Sequence, residues 1–173
     1  GFASVYRAYQ FVVEREVAIK VILPKHANAP DFIRRFEAEA QLIARLEHIH
    51  IVPLYDYWRE PNNAYLVMRW LRGGSLFDLL QKQRIWELKD ITRLLDQIAA
   101  ALTVAHRKGV IHQDLTPGNI LFDTERNAYL TDFGIAKRLS QVITEPGKKP
   151  VYGTPTYMSP EQILRQDVTG QTD

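Results

Sequence analysis

Apolar residues alternate with other residues along Glu16–Leu23, E-V-A-I-K-V-I-L, so that Val17, Ile19, Val21 and Leu23 share one face. Ala18, Lys20 and Ile22 share the other face, and Pro24 ends the run, which predicts a strand. A helix follows, with Asp31 as its N-cap and Phe32, Phe36, Ile43 and Leu46 at helical spacing. Two further strand-like runs, Ile51–Tyr57 and Ala64–Leu71, are separated by the turn-rich E-P-N-N. The character of the chain then changes. Gly73-Gly74 reads as a flexible connector and Ser75 as a second N-cap. Ile91, Leu94, Leu95, Ile98, Leu102 and Ala105 form one apolar stripe, which Gly109 terminates. Pro146, Gly147 and Pro150 predict a mobile segment before G-T-P-T-Y-M-S-P-E. The pattern is α+β: strands with one helix first, then mostly helix.

Composition narrows the function classes. A chain of 173 residues holds one domain with a real core, or two small lobes. Hydrophobic residues at 46% and charged residues at 24% match an ordinary globular protein. A net charge of +2 does not call for nucleic acid, and Lys148–Lys149 reads as a solvated loop. The absence of cysteine removes disulfides, thiol nucleophiles and Cys-based zinc sites, and fits a reducing cytoplasm. No window approaches the roughly 20 apolar residues of a membrane helix, and no signal peptide is present. Gly1 without a methionine and Asp173 in mid-phrase make both ends look cut.

The chemistry concentrates in V-I-H-Q-D-L-T-P-G-N-I-L-F-D (Val110–Asp123) and T-D-F-G (Thr131–Gly134). Asp114 and Asn119 stand five positions apart, and Asn119 and Asp132 thirteen. An acid, an amide and a second acid so spaced can serve one Mg²⁺-dependent phosphoryl transfer. Turn formation explains either aspartate alone, but not the full constellation. His26, His48, His50 and His106 make no metal set, although a strand would place His48 and His50 on one face.

Five motifs in order resemble the protein kinase family, especially its bacterial Ser/Thr branch: V-A-I-K (Val17–Lys20), the helix glutamate Glu39, H-Q-D-L-T-P-G-N (His112–Asn119), D-F-G (Asp132–Gly134) and S-P-E (Ser159–Glu161). The resemblance covers nearly the whole chain. It implies a two-lobed α+β fold: residues 1–71 as a small lobe lacking its first strand and the start of its Gly-rich loop, and 72–173 as part of the large lobe. It also implies ATP and Mg²⁺ (or Mn²⁺), protein substrates, and dimerisation as a route to autophosphorylation, with no nucleic acid and no membrane contact from this segment. The expected setting is cytoplasmic.

The roles the resemblance implies run residue by residue. Lys20 reaches the nucleotide phosphates, paired with Glu39 rather than its rival Glu37. Asp114 accepts or orients the proton of the substrate hydroxyl, while Asn119 and Asp132 hold the metal through hard oxygens. Val5, Ala18, Met68, Arg69, Leu71 and Leu121 contact the adenine, with Met68 as gatekeeper and Arg69 to Leu71 as hinge. His112 packs against Phe133. Thr144 and Thr154, and less so Ser140, are candidate phosphosites.

Departures sharpen this picture. Gln113 replaces an arginine that grips a phosphorylated loop, which implies weak dependence of activity on loop phosphorylation. Thr116 replaces a lysine beside the transferred phosphoryl group, implying slowed chemistry; such a group can be worth ~10²-fold. Ala3 stands in the third-glycine place of the phosphate-covering loop, and the first two glycines would lie upstream. Asp173 would open a long buried helix, leaving Glu161 without its arginine and the Leu94–Leu102 stripe exposed. The expectation is a chain that, alone, is unstable and inactive. A nucleotide-binding scaffold (a pseudokinase) is the alternative. A small-molecule phosphotransferase of related fold is disfavoured by the peptide-shaping G-T-P-T-Y-M-S-P-E.

Overall fold

The computed structural model describes residues 3–22, 30–82, 85–133 and 154–173. Gly1, Leu23, Pro24, His26, Gly134, Ser140, Thr144, Pro146–Pro150 and Gly153 lie outside them. The chain divides into two compact units, one built on 3–22, 30–45 and 53–70, the other on 46–52, 71–82, 85–133 and 154–173.

The first unit is a four-stranded antiparallel sheet with one helix. Strands β1 (Ala3–Gln10), β2 (Arg15–Ile22), β3 (Leu54–Glu60) and β4 (Asn63–Arg69) lie in the order β1-β2-β4-β3. Pro61–Asn62 makes the tight turn between β3 and β4, with Asn62 at φ 73, a left-handed conformation that asparagine tolerates. The predicted alternation of β2 is present. Its more buried face, however, is the one carrying Ala18, Lys20 and Ile22. Helix α1 (Pro30–Ala44) covers that face, where Ile22, Ala64 and Leu66 of the sheet pack with Phe36 and Ala40.

Several boundaries differ from the periodicity. Helix α1 starts at Pro30, whose missing N–H costs nothing at a first helical position, so Asp31 lies inside the helix rather than capping it. Leu46 falls past the helix end and is buried with the second unit. Strand β3 begins at Leu54 rather than Ile51, because Ile51 and Val52 are already engaged: Ile51 bridges Leu130, and Val52 N donates to Leu130 O at 2.8 Å.

The second unit contains α2 (Leu76–Lys82), α3 (Leu88–Arg107), the hairpin β5 (Ile120–Phe122) and β6 (Ala128–Leu130), and the short helix α4 (Pro160–Ile163). Ser75 caps α2 as predicted: its Oγ accepts from Asp78 N at 3.1 Å, and Asp78 Oδ2 accepts from Ser75 N at 3.1 Å. Gly73-Gly74 is not a flexible connector. Gly73 N donates to Phe122 O at 2.8 Å, Phe122 N donates to Gly74 O at 2.9 Å, and a Cβ on Gly73 would stand 2.4 Å from Asp123 O.

The buried line of α3 runs through Ile98, Ala101 and Ala105, where the helix packs on β6 and Gln97 Oε1 accepts from Ala128 N at 2.8 Å. Ile91 and Leu95 of the predicted stripe are exposed. Gly109, at φ 73, ends the helix in a Schellman motif, its N donating to His106 O at 2.9 Å and Val110 N to Ala105 O at 2.9 Å. Among the described residues no helix is long and apolar enough to cross a membrane.

Candidate active site

The sheet register of the first unit sets four of the predicted residues on one face. Lys20 pairs with Val5 and with Leu66, and Ala18 pairs with Arg7 and with Met68. Directly opposed residues share a face, and so do residues two apart on a strand. Val5, Ala18, Lys20 and Met68 are therefore neighbours on the side covered by α1. Lys20 is only 8% exposed, unusual for a lysine. Glu39 lies half-buried on α1, three residues after Phe36 and one before Ala40, both fully buried, whereas Glu37 is exposed. Arg69 closes β4, with its backbone N donating to Pro53 O at 3.2 Å.

The second unit builds the loop of 110–119 between α3 and β5. His112 is fully buried. Its Nε2 lies 2.8 Å from Thr131 O, which can only accept, and its Nδ1 accepts from Asp114 N at 3.3 Å. The ring is thus the neutral Nε2–H tautomer, packed on Phe133 with centroids 4.7 Å apart and planes tilted by 45°. Burial lowers its pKa, outweighing the Thr131 carbonyl and the Asp173, Asp132 and Asp114 charges, which raise it. That suits a structural imidazole rather than a base.

Asp114 is held at both carboxylate oxygens. Thr154 Oγ1 donates to Oδ1 at 2.8 Å, and Asn119 Nδ2 donates to Oδ2 at 3.0 Å and to the Asp114 carbonyl at 2.8 Å. With its amide nitrogen so committed, Asn119 retains its carbonyl oxygen as a ligand. The one-turn 3-10 helix Pro117–Asn119 runs directly into β5, where Ile120 pairs with Leu130. Thr131 N extends that ladder by donating to Asn119 O at 3.0 Å. Asp132, one residue further, takes φ 62, a left-handed conformation that an L-residue adopts at a cost. The hairpin closes on Asp123. Burial raises its pKa, but hydrogen bonds from Asn127, Tyr129 and the Glu125 backbone outweigh that and lower it overall. Leu121 on β5 is half-buried and bridges Ser75, while Leu71 is buried.

Residues near the end of the sequence converge on the same loop. Asp173 accepts from His112 N through Oδ2 and from Gln113 N through Oδ1, both at 2.7 Å, and from His106 Nε2 at 2.8 Å. Gln162 Nε2 donates to Gln113 O at 2.8 Å. Glu161 is not left without a partner: Thr172 Oγ1 donates to its Oε1 at 2.7 Å, and this bond is the main cause of its lowered pKa. Ser159-x-x-Gln162 has the capping-box spacing, so the helix cap was legible in the sequence; the reach of Gln162 and Asp173 to Gln113 was not.

The sequence-family model for the protein kinase domain matches residues 1–173, and the chain belongs to that family. Over its full length it is 39% identical to the serine/threonine-protein kinase PrkC of Bacillus subtilis, of which it covers 26%. It is 37% identical to PknA of Corynebacterium glutamicum and 36% identical to PknA of Mycobacterium tuberculosis, covering 38% and 41% of those proteins. The chain thus spans well under half the length of these curated relatives. Members of the family use ATP and a divalent metal.

Proposed function

We propose that the protein is a serine/threonine kinase that transfers the ATP γ-phosphoryl group to Ser/Thr hydroxyls of protein substrates. The observation that carries the reading is the Asp114 carboxylate, fixed on both oxygens by Thr154 and Asn119. A carboxylate so oriented takes the proton of a substrate hydroxyl as its oxygen bonds to the γ-phosphorus and the bond to ADP breaks. Lys20 steadies the nucleotide phosphates with Glu39 behind it, and Val5, Ala18, Met68, Arg69, Leu71 and Leu121 receive the adenine.

Asn119 and Asp132 are the residues to hold Mg²⁺, or Mn²⁺. An amide oxygen and a carboxylate are hard donors, and one or two carboxylates completed by substrate phosphates is the ligand set Mg²⁺ prefers. Among the described residues no cluster of three His, Cys, Asp or Glu offers a rival protein-only site. The metal, when bound, neutralises charge on the transferred group.

Thr154 acts here as a positioning residue rather than a phosphosite, because a phosphate on its oxygen would face the Asp114 carboxylate. Thr144 keeps the role of candidate phosphosite, dimerisation that of a route to it, and the cytoplasm that of the setting. The alternative of a nucleotide-binding scaffold draws on the neutral Thr116. An ATP/Mg²⁺ phosphorylation assay on the full-length protein separates the two. Transfer lost at least ~10²-fold in Asp114→Asn and raised in Thr116→Lys supports the kinase; nucleotide binding without any transfer supports the scaffold.

A further inference from the structure

Gln113 occupies a strained turn whose two peptide groups are both clamped. Its φ is 64, in the left-handed region that non-glycine residues avoid. On one side its N–H donates to Asp173 Oδ1 at 2.7 Å. On the other its carbonyl accepts from Gln162 Nε2 at 2.8 Å. Gln162 is a buried polar side chain, only 6% exposed, and its second polar atom is also used: Oε1 accepts from Ser159 N at 3.0 Å. One amide thus ties the N-terminus of α4 to the residue immediately before Asp114.

We infer that Gln162 is a positioning residue for phosphoryl transfer, holding the Gln113 carbonyl so that the left-handed turn delivers Asp114 in register with Thr154 and Asn119. The inference rests on the phosphotransfer reading above. Three observations carry it. The strained conformation persists only when its surroundings over-determine it, and Gln162 supplies the clamp on the carbonyl side. The amide is oriented without ambiguity, because its nitrogen meets a carbonyl and its oxygen meets an N–H. The tie is also neutral at both ends, an amide N–H and a main-chain carbonyl. A neutral tie needs no phosphate to complete it, which gives a physical basis for a catalytic loop set by the fold of this segment.

The test uses the full-length protein with ATP/Mg²⁺ and casein as a generic acceptor. Gln162→Met preserves length and apolar packing but removes the donor, and kcat is expected to fall on the order of ten-fold with KM for ATP unchanged. Ser159→Ala removes the other half of the α4 cap while leaving the Gln162–Gln113 bond, and kcat is expected to stay within about two-fold of wild type. Gln162→Glu supplies the donor only when protonated. Deprotonated, it sets a carboxylate against the Gln113 carbonyl, so Gln162→Glu at pH 8 should lose at least as much kcat as Gln162→Met. Equal loss in Ser159→Ala and Gln162→Met, wild-type kcat in Gln162→Met, or wild-type kcat in Gln162→Glu at pH 8 would each overturn the assignment. Amide hydrogen exchange at Gln113 and Asp114 reads the clamp without activity. Faster exchange in Gln162→Met than in Ser159→Ala upholds it, and equal exchange overturns it, even if wild type transfers no phosphate and the kinase reading itself falls.

Discussion

Asp114 illustrates how far a residue's chemistry depends on neighbours of ordinary type. Neither Thr154 nor Asn119 carries charge, yet each donates to one carboxylate oxygen and together they fix the plane of the group. Hydrogen bonds to a charged acceptor are worth about 1.5–3 kcal/mol each. Thr154→Val should therefore lower kcat on the order of ten- to a hundred-fold, while Thr154→Ser, which keeps the hydroxyl, should retain most of it. Unchanged kcat in the valine variant would show that the 2.8 Å contact does not govern catalysis. The acid–amide–acid triplet could be named from the sequence, since it lies in one stretch of chain that carries the family's motifs. Thr154, forty positions away, was legible as a candidate phosphosite, but nothing in the sequence indicated that its hydroxyl faces Asp114.

At the scale of elements, two glycines shape the second unit, one through its left-handed backbone and one through a tight backbone contact. Gly109 ends α3, as the sequence signals. Gly73 has a role the sequence hides: its backbone lies against the β5–β6 turn, with Asp123 O, Phe122 O and Phe122 C all under 3.0 Å from any added Cβ. Backbone atoms cannot swing aside as a side-chain tip can. Gly73→Ala should cost about 1–3 kcal/mol and lower the melting temperature by several degrees. Gly118→Ala, whose Cβ would meet only Thr116 Oγ1 at 3.7 Å, serves as the control. Equal melting of the two variants would refute the packing argument. Alternation located β2 because a strand's period is a local property. It did not say that the lysine-bearing face is the buried one, because that choice belongs to α1. Likewise, the apolar stripe of α3 predicted a helix but not which half would find β6.

For the whole molecule, the buried His112 links stability to pH. Its pKa is lowered mainly by burial, so the unfolded chain binds a proton that the native ring refuses. Its neutral form leaves stability intact above the ordinary value of 6.5, and stability falls as the pH drops below it toward the lowered native value. His48, lowered by burial and by His50, adds a slope of the same sign. Melting temperature should therefore decline between pH 6.5 and 5, above the range where carboxylates titrate. His112→Gln should shallow that slope; identical slopes would remove His112 as the cause. The sequence by itself determined the family, through motifs in order along the chain, and the strand and helix types, which reside in local period. Tertiary structure alone decided that Asp173 and Gln162 clamp the strained Gln113, that Thr172 satisfies Glu161, and that Gly73 is a packing site. Each of these joins residues distant in sequence, and hydrogen-bond geometry exists only once the chain has brought both partners together.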